Sequence, residues 1–379
     1  MFKLNELIEN IDPKILEYKE IGELLEYIQP QKYIVNSTNY ELDGLPVLTP
    51  GQSFILGYTK ETEGIYKASQ SNPCIIFDDF TTSFHWVDFD FKVKSSAMKI
   101  LVPKERINFR YIYHYMKTIK IDTSSHGRQW ISKYSKIIIA IPSLAIQDEI
   151  VRILDNFAEL TAELIREQNL RKQQYEYYRE KLLGEFNSNF ESKMISEVAI
   201  FMNGKGHEKA IVEDGKYIVV NSKFVSSEGK VFKTADSLLV PLYQNDVLMV
   251  MSDLPNGKAL AKTFFVEEND KYTLNQRICC LRAIENKILP KFLYYIVNRN
   301  SGLLAYDNKV DQTNLKKADI TDLYIPVPSV EEQQRIVEIL DRFDTLANDI
   351  NSGLPAEIKL RQQQYEYYRD KLLTFKEKE

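Results

Sequence analysis

Gln173-Gln174-Tyr175-Glu176-Tyr177-Tyr178-Arg179-Glu180-Lys181-Leu182-Leu183 returns almost unchanged as Gln363-Gln364-Tyr365-Glu366-Tyr367-Tyr368-Arg369-Asp370-Lys371-Leu372-Leu373. Upstream of each copy stands a second match in the same order. Pro142-Ser143-Leu144 and Ile150-Val151-Arg152-Ile153-Leu154-Asp155 recur as Pro328-Ser329-Val330 and Ile336-Val337-Glu338-Ile339-Leu340-Asp341. Two separated matches in one order mark an internal duplication. Ile150, Ile153, Phe157, Leu160 and Leu164 follow alternating three- and four-residue steps, as do Ile336, Ile339, Phe343, Leu346 and Ile350. That spacing predicts a narrow apolar stripe along a helix that seeks a partner helix. Tyr175, Tyr178 and Leu182 resume the stripe, with Tyr365, Tyr368 and Leu372 in the other copy. The second copy holds four extra residues around Gly353-Leu354-Pro355, which predicts a break in that helix only.

The stretches between the helices repeat more faintly. Ile21-Gly22-Glu23-Leu24 matches Ile195-Ser196-Glu197-Val198, and Arg110-Tyr111-Ile112-Tyr113 matches Lys291-Phe292-Leu293-Tyr294. Cys74 to Asp79 and Val247 to Ser252 read as apolar strands running into polar turns, and Phe89 to Lys94 alternates as a strand does. Four segments follow: domains at residues 1–145 and 188–327, and helical regions at 146–187 and 328–379. The fold class expected is α/β (α+β). It comprises two mixed domains separated by two long antiparallel coiled-coil helices, with a pseudo-twofold internal repeat.

The formal charge of -5 conceals a split. Residues 146–187 carry six Lys and Arg against nine Asp and Glu, and 328–379 carry eight against eleven, while the two domains nearly balance. No global basic excess therefore marks the chain as a simple phosphate binder. Three cysteines make no disulfide framework, no apolar leader is visible, and no stretch is long enough to cross a bilayer. These features predict a cytoplasmic protein without membrane contact. The four histidines lack metal-ligand spacing, and neither a P-loop nor an Asn/Asp-Pro-Pro-Tyr/Phe methyltransferase loop occurs. Asp270 with Glu285-Asn286-Lys287 satisfies the loose Asp…Glu-x-Lys pattern of metal-dependent nucleases, but that pattern is short and degenerate.

The two Gln-Gln-Tyr-Glu-Tyr-Tyr-Arg helices, their Ile-Pro entries at Ile141-Pro142 and Ile325-Pro326, Glu331-Glu332-Gln333 and Leu354-Pro355-Ala356-Glu357-Ile358 together resemble the specificity subunit of a type I restriction–modification system. The resemblance covers nearly the whole chain. It implies two target-recognition domains, each reading one half of an asymmetric bipartite site in double-stranded DNA, with the helices setting the spacer. A helix of about 30 residues is roughly 45 Å long, against about 34–36 Å between half-sites one turn apart. The resemblance also implies a non-catalytic chain that docks two methyltransferase subunits, joined by restriction/translocase subunits. S-adenosylmethionine, ATP and Mg²⁺ would then belong to those partners, with no cofactor or metal on this chain. A non-DNA protein–protein scaffold with a coiled-coil spacer is the alternative.

Base reading needs directed donors and acceptors on loops. In the first domain these are Thr81, Thr82, Ser83, His85, Lys92, Lys94, Ser95, Ser96, His126, Arg128 and Gln129. In the second they are Asn203, Lys205, His207, Asn221, Ser222, Lys223, Lys258, Asn275, Gln276, Arg277, Gln312, Thr313 and Asn314. Tyr177, Arg179, Tyr367 and Arg369 are the candidates for partner docking, while Tyr175, Tyr178, Tyr365 and Tyr368 read as packing residues.

Overall fold

The chain was analysed as a computed structural model that describes residues 16–51, 53–104, 107–122, 127–184, 190–207, 210–255, 257–348 and 353–375. It divides into two compact units. Unit 1 comprises residues 1–165 with 357–379, and unit 2 comprises 166–356. The central helix Leu144–Leu183 runs 40 residues without interruption, longer than its apolar stripe alone indicated. The distal copy forms two helices, Val330–Asn348 and Leu354–Leu373. Pro355 falls in the first turn of the later one, where its missing N–H costs nothing.

In unit 1 a four-stranded antiparallel sheet has the order Leu25–Ile28, Met98–Pro103, Cys74–Asp78, Phe84–Val87. Unit 2 repeats it as Ala199–Asn203, Ile278–Ala283, Val247–Val250, Thr263–Phe265. Residues 74–77 and the strand Val247–Val250 are fully buried, as their unbroken apolar runs require. Each unit also has a mixed sheet, of three strands in unit 1 and four short strands in unit 2. The alternation at Phe89 to Lys94 yields only the short strand Lys92–Val93, paired parallel with Leu45–Leu48. One domain helix, Phe109–Met116 in unit 1 and Pro290–Val297 in unit 2, packs into the apolar core of its unit.

The joint between domain and long helix has the same construction twice. A two-stranded ribbon pairs Glu17–Glu20 with Ile138–Ile141, and its counterpart pairs Ser192–Met194 with Tyr324–Pro326. The chain then turns into its helix behind a proline. Gln147 is buried there. Its Nε2 donates to the Pro142 carbonyl at 2.7 Å, and its Oε1 accepts from the backbone N–H of Asn108, which caps the domain helix, at 3.1 Å. Gln333 repeats both bonds with the Pro328 carbonyl, 2.9 Å, and the N–H of Leu289, 2.8 Å. Two turns further on, a carboxylate holds the domain helix at two residues one turn apart. Asp155 accepts from Arg110 Nε at 2.9 Å and His114 Nε2 at 2.8 Å. Asp341 accepts from the Tyr295 hydroxyl and lies 3.7 Å from Lys291 Nζ.

The helix copies pair across the repeat. In unit 1, Phe157 of the central helix stacks on Tyr368 of the distal copy at 5.2 Å and 17°. In unit 2, Tyr178 of the central helix stacks on Phe343 at 5.3 Å and 22°. The runs are antiparallel, and each unit holds the leading half of one repeat helix and the trailing half of the other. The seam is narrower than the sequence stripe, because Leu160 and Leu346 are exposed whereas Leu154 and Leu340 are buried. Leu154 and Leu340, four residues after Ile150 and Ile336, face the cores at the domain joints, whereas Leu160 and Leu346 turn outward.

Replacing Gln333 by Leu preserves the volume but leaves the Leu289 N–H and the Pro328 carbonyl buried and unpaired, at about 1–3 kcal/mol for each such group. The variant should unfold at a lower urea concentration by about 2 kcal/mol or more. An unchanged midpoint would show that these bonds do not hold the joint.

The two joints should also differ in acid. With Asp155 as acceptor, His114 Nε2 carries the proton, and Nδ1 accepts from the Tyr365 hydroxyl at 3.0 Å. Burial holds the His114 pKa below its usual value despite the hydrogen bond it donates to Asp155, and the Lys117 and Arg110 charges push in the same direction as burial. The unfolded chain thus takes up a proton near pH 6.5 that the folded joint resists. Stability contributed by this group is complete above about pH 6.5 and declines as pH falls through and below that value. Urea midpoints from pH 7.5 to 5.5 should fall more steeply for the natural chain than for His114→Gln. Equal slopes would remove His114 from the explanation.

Candidate nucleic-acid interface

The polar turns gather at one end of the principal sheet in each unit, and aspartates shape them. In unit 1, Asp78 Oδ1 accepts from the N–H groups of Phe80 and Thr81, closing the hairpin turn to Ser83. Thr82 takes a positive φ of 59° there, a strained conformation for a β-branched residue. Thr81 and Ser83 share a hydroxyl contact of 2.8 Å. Asp79 is buried beside Lys99, with 3.3 Å between carboxylate and ammonium, and the ammonium also lies 4.2 Å from the Tyr27 ring centroid. The same carboxylate accepts from Trp130 N at 2.8 Å and so fixes the short helix Gln129–Ser132, whose N-cap is Arg128.

Unit 2 uses Asp253 in a similar way. Its carboxylate accepts from the N–H groups of Leu254, Ala259 and Leu260, curling the loop that carries exposed Lys258. Gly257 lies so close that a Cβ would stand 2.0 Å from Asp253 Oδ2. Gly204 has the same necessity, since a Cβ there would lie 1.9 Å from the Asn275 carbonyl. That approach brings the Asn203–Lys205 turn beside Asn275, Gln276 and Arg277.

Backbone hydrogen bonds set the two edges in register where the sequences no longer align. In unit 1, Asp79 donates its N–H to the Ala97 carbonyl and accepts at its own carbonyl from Gln129. In unit 2, Met251 donates to the Arg277 carbonyl and accepts from Leu315. Arg128 and Asn314 therefore hold equivalent positions, as do Ala97 and Arg277, and Ser96 and Gln276. The frame is common; the side chains are not.

Of the nominated residues, Thr81, Lys94, Ser96 and Arg128 are exposed in unit 1, and Thr82, Ser83 and Ser95 are partly so. Asn203, Lys205, Lys223, Lys258, Gln276, Arg277, Gln312 and Asn314 are exposed in unit 2. Among the described residues, no side-chain partner engages the Arg128 or Arg277 guanidinium. His126 lies outside the described residues. Four nominations need correction. Lys92 is buried, paired with Glu61 at 2.7 Å and donating to the Glu63 carbonyl. Gln129 is buried beneath Arg128 and donates to the Gly127 carbonyl. His207 is buried between the Lys205 carbonyl and Thr273 Oγ1. Thr313 points inward, toward Asp307. Each supports a loop and has no free face for DNA. His85 is half-buried, stacked on Phe54 and 3.0 Å from the Gly51 carbonyl, and Asn221 caps the helix Ser222–Ser226. The Ser222 hydroxyl is enclosed without a partner.

On the helices, Tyr177 and Tyr367 are 60% and 54% exposed. Arg179 and Arg369 are largely enclosed, Arg179 donating to the Asn298 carbonyl and Arg369 to Asp370. They serve packing, which corrects their nomination for docking. The sequence reading gave no bracing role to Asp79, Asp253, Gln147 or Gln333, although Gln333 stands in the Glu331-Glu332-Gln333 motif. The two glutamines had a signal, a Gln five residues after Pro in both copies.

In the nuclease-like stretch, Lys287 donates to the Glu197 carbonyl. Among the described residues, no three His, Cys, Asp or Glu side chains stand close enough to hold a metal, and no helix is long and apolar enough to cross a membrane. Cys74 and Cys279 are buried thiols whose pKa values burial pushes to about 12.

Two α/β domains with one edge architecture and divergent edge side chains, each braced by repeat helices, define a paired recognition module. The family model described as the type I restriction modification DNA specificity domain matches residues 13–171 and again 187–360. The chain belongs to that family. The specificity subunit of the Escherichia coli type I restriction enzyme EcoR124I/EcoR124II is 40% identical across 99% of this chain and 97% of its own. A putative type I specificity subunit of Haemophilus influenzae is 28% identical across 98% of both chains. The crystal structure of a type I restriction–modification S subunit from M. genitalium shares the fold, with a TM-score of 0.58 and 14% identity over 97% of this chain and 99% of that one. Family membership decides against a scaffold that has no DNA.

Asp79→Ala would leave Lys99 buried and uncompensated, at a cost of about 3–5 kcal/mol. The urea midpoint should fall accordingly, and the double variant Asp79→Ala, Lys99→Met should recover part of the loss. A double variant no more stable than the single one would show that the ion pair is not what the turn relies on.

Proposed function

We propose that this chain is the DNA-reading subunit of a type I restriction–modification assembly, with unit 1 and unit 2 each reading one half of an asymmetric, two-part duplex site. One observation carries the reading. The two units place Arg128 and Asn314, Ala97 and Arg277, and Ser96 and Gln276 on the same backbone frame. A shared frame with different donors and acceptors suits two different half-sites at similar docking geometry. Exposed Lys94 and Arg128 in one unit, and Lys205, Lys223, Lys258 and Arg277 in the other, supply local charge for phosphates, which the overall charge of -5 does not.

The helices carry the second half of the proposal. Tyr177 and Tyr367 stand exposed at equivalent positions, each beside a lysine over its ring, as suits the docking of two copies of one partner, the methyltransferase subunit. Restriction/translocase subunits would join them. S-adenosylmethionine, ATP and Mg²⁺ are then bound by those subunits, and this chain directs the chemistry without performing it.

The test is a genome-wide map of modified bases in source cells with and without the gene. Deletion should abolish modification at one asymmetric two-part motif, and exchanging residues 188–327 for those of another specificity subunit should change one half of it alone. A map unaffected by deletion would refute the reading.

A further inference from the structure

We propose that Gln312 and Asn314 together read one adenine in the half-site bound by unit 2, an inference that rests on the function proposed above. Thr313 between them is buried, so strand alternation sends both amides to the outer side. Gln312 Nε2 lies 2.7 Å from Ser252 Oγ and 3.3 Å from Asn314 Oδ1. Ser252 is itself buried, on the strand Ser252–Asp253 that pairs with Thr313–Asn314. The two amides are thus tied to each other and anchored to the sheet before any ligand arrives.

That tie determines what is offered outward. An amide has one acceptor oxygen and one donor nitrogen. With Gln312 donating to Asn314, the outward groups are Gln312 Oε1 and Asn314 Nδ2. Turning both amides over reverses the bond and leaves Asn314 Oδ1 and Gln312 Nε2. Either arrangement sets one acceptor beside one donor. In the major groove adenine presents the complement, acceptor N7 beside donor N6. Guanine presents two acceptors, cytosine a donor, and thymine an acceptor with a methyl group. Of the four bases, only adenine uses both outward groups. Because the amides are ordered beforehand, binding loses little side-chain freedom.

The equivalent position in unit 1 is Arg128, which has donors only. The amide pair is therefore a property of one half of the target.

The experiment restores a deletion strain with the natural gene, Gln312→Ala with Asn314→Ala, or Asn314→Asp, and maps modified bases across the genome. The exchange of residues 188–327 identifies the half belonging to unit 2. That half should contain an A·T pair whose discrimination falls roughly tenfold to hundredfold in the double variant, with the other half unchanged. Asn314→Asp offers acceptors only and should shift preference at that pair toward cytosine, whose N4 donates. A natural unit 2 half without an A·T pair overturns the inference and leaves DNA reading intact, as does a motif identical in natural and double-variant strains. Loss of modification at every site alike, in a variant that melts as the natural chain does, overturns it too, since a phosphate contact behaves that way. A map on which nothing depends on the gene overturns the parent function and this inference together.

Discussion

A buried side-chain amide at each joint is the constraint on which the other features depend. Gln147 and Gln333 each have one donor and one acceptor pointing in opposite directions, and each satisfies a carbonyl behind a proline and an N–H at the start of a domain helix. Both glutamine side chains are buried, so their polar atoms depend on these partners. The direction in which the long helix leaves the domain is thereby coupled to the placement of the domain helix, and through it to the sheet. A reader of two separated half-sites needs that coupling, because an angular error at the joint grows with distance along the helix.

The carboxylate two turns later shows how far the chemistry can drift while the geometry holds. Asp155 is served by a guanidinium and an imidazole, Asp341 by an ammonium and a phenol. Burial alone would raise the Asp155 pKa, yet the His114 hydrogen bond and the Arg110 charge prevail and keep it below its usual value. In unit 2 burial, followed by Asp341, keeps the Tyr295 hydroxyl protonated. The same anchoring thus rests on an imidazole in one unit and on a phenol in the other.

The helices were legible in the sequence because their signal is local. Identical residues at helical spacing, with a glycine and a proline at one point, suffice to predict one unbroken helix and one broken one. The interface was legible only as a set of polar loops. Lys92, Gln129, His207 and Thr313 look like their exposed neighbours in sequence, and only the tertiary fold reveals the partners that enclose them. Lys92 meets Glu61 across thirty-one positions, and His207 meets Thr273 across sixty-six. The correspondence of Arg128 with Asn314 was hidden for a different reason. It is defined by backbone hydrogen bonds, which any residue can make, so no pattern of residue types preserves it.

The exchange of helix halves has a consequence for synthesis. Leu372 and Leu373 belong to the apolar core of unit 1, together with Ile150 and Leu154. Residues 166–356 intervene before that segment is made. At about 5–20 residues per second, the first domain waits roughly ten to forty seconds with one wall of its core open. Unit 2, by contrast, is assembled from consecutive residues and can close as it emerges. The nascent chain thus completes its second domain before its first, and the helix Leu354–Leu373 finishes the earliest core begun.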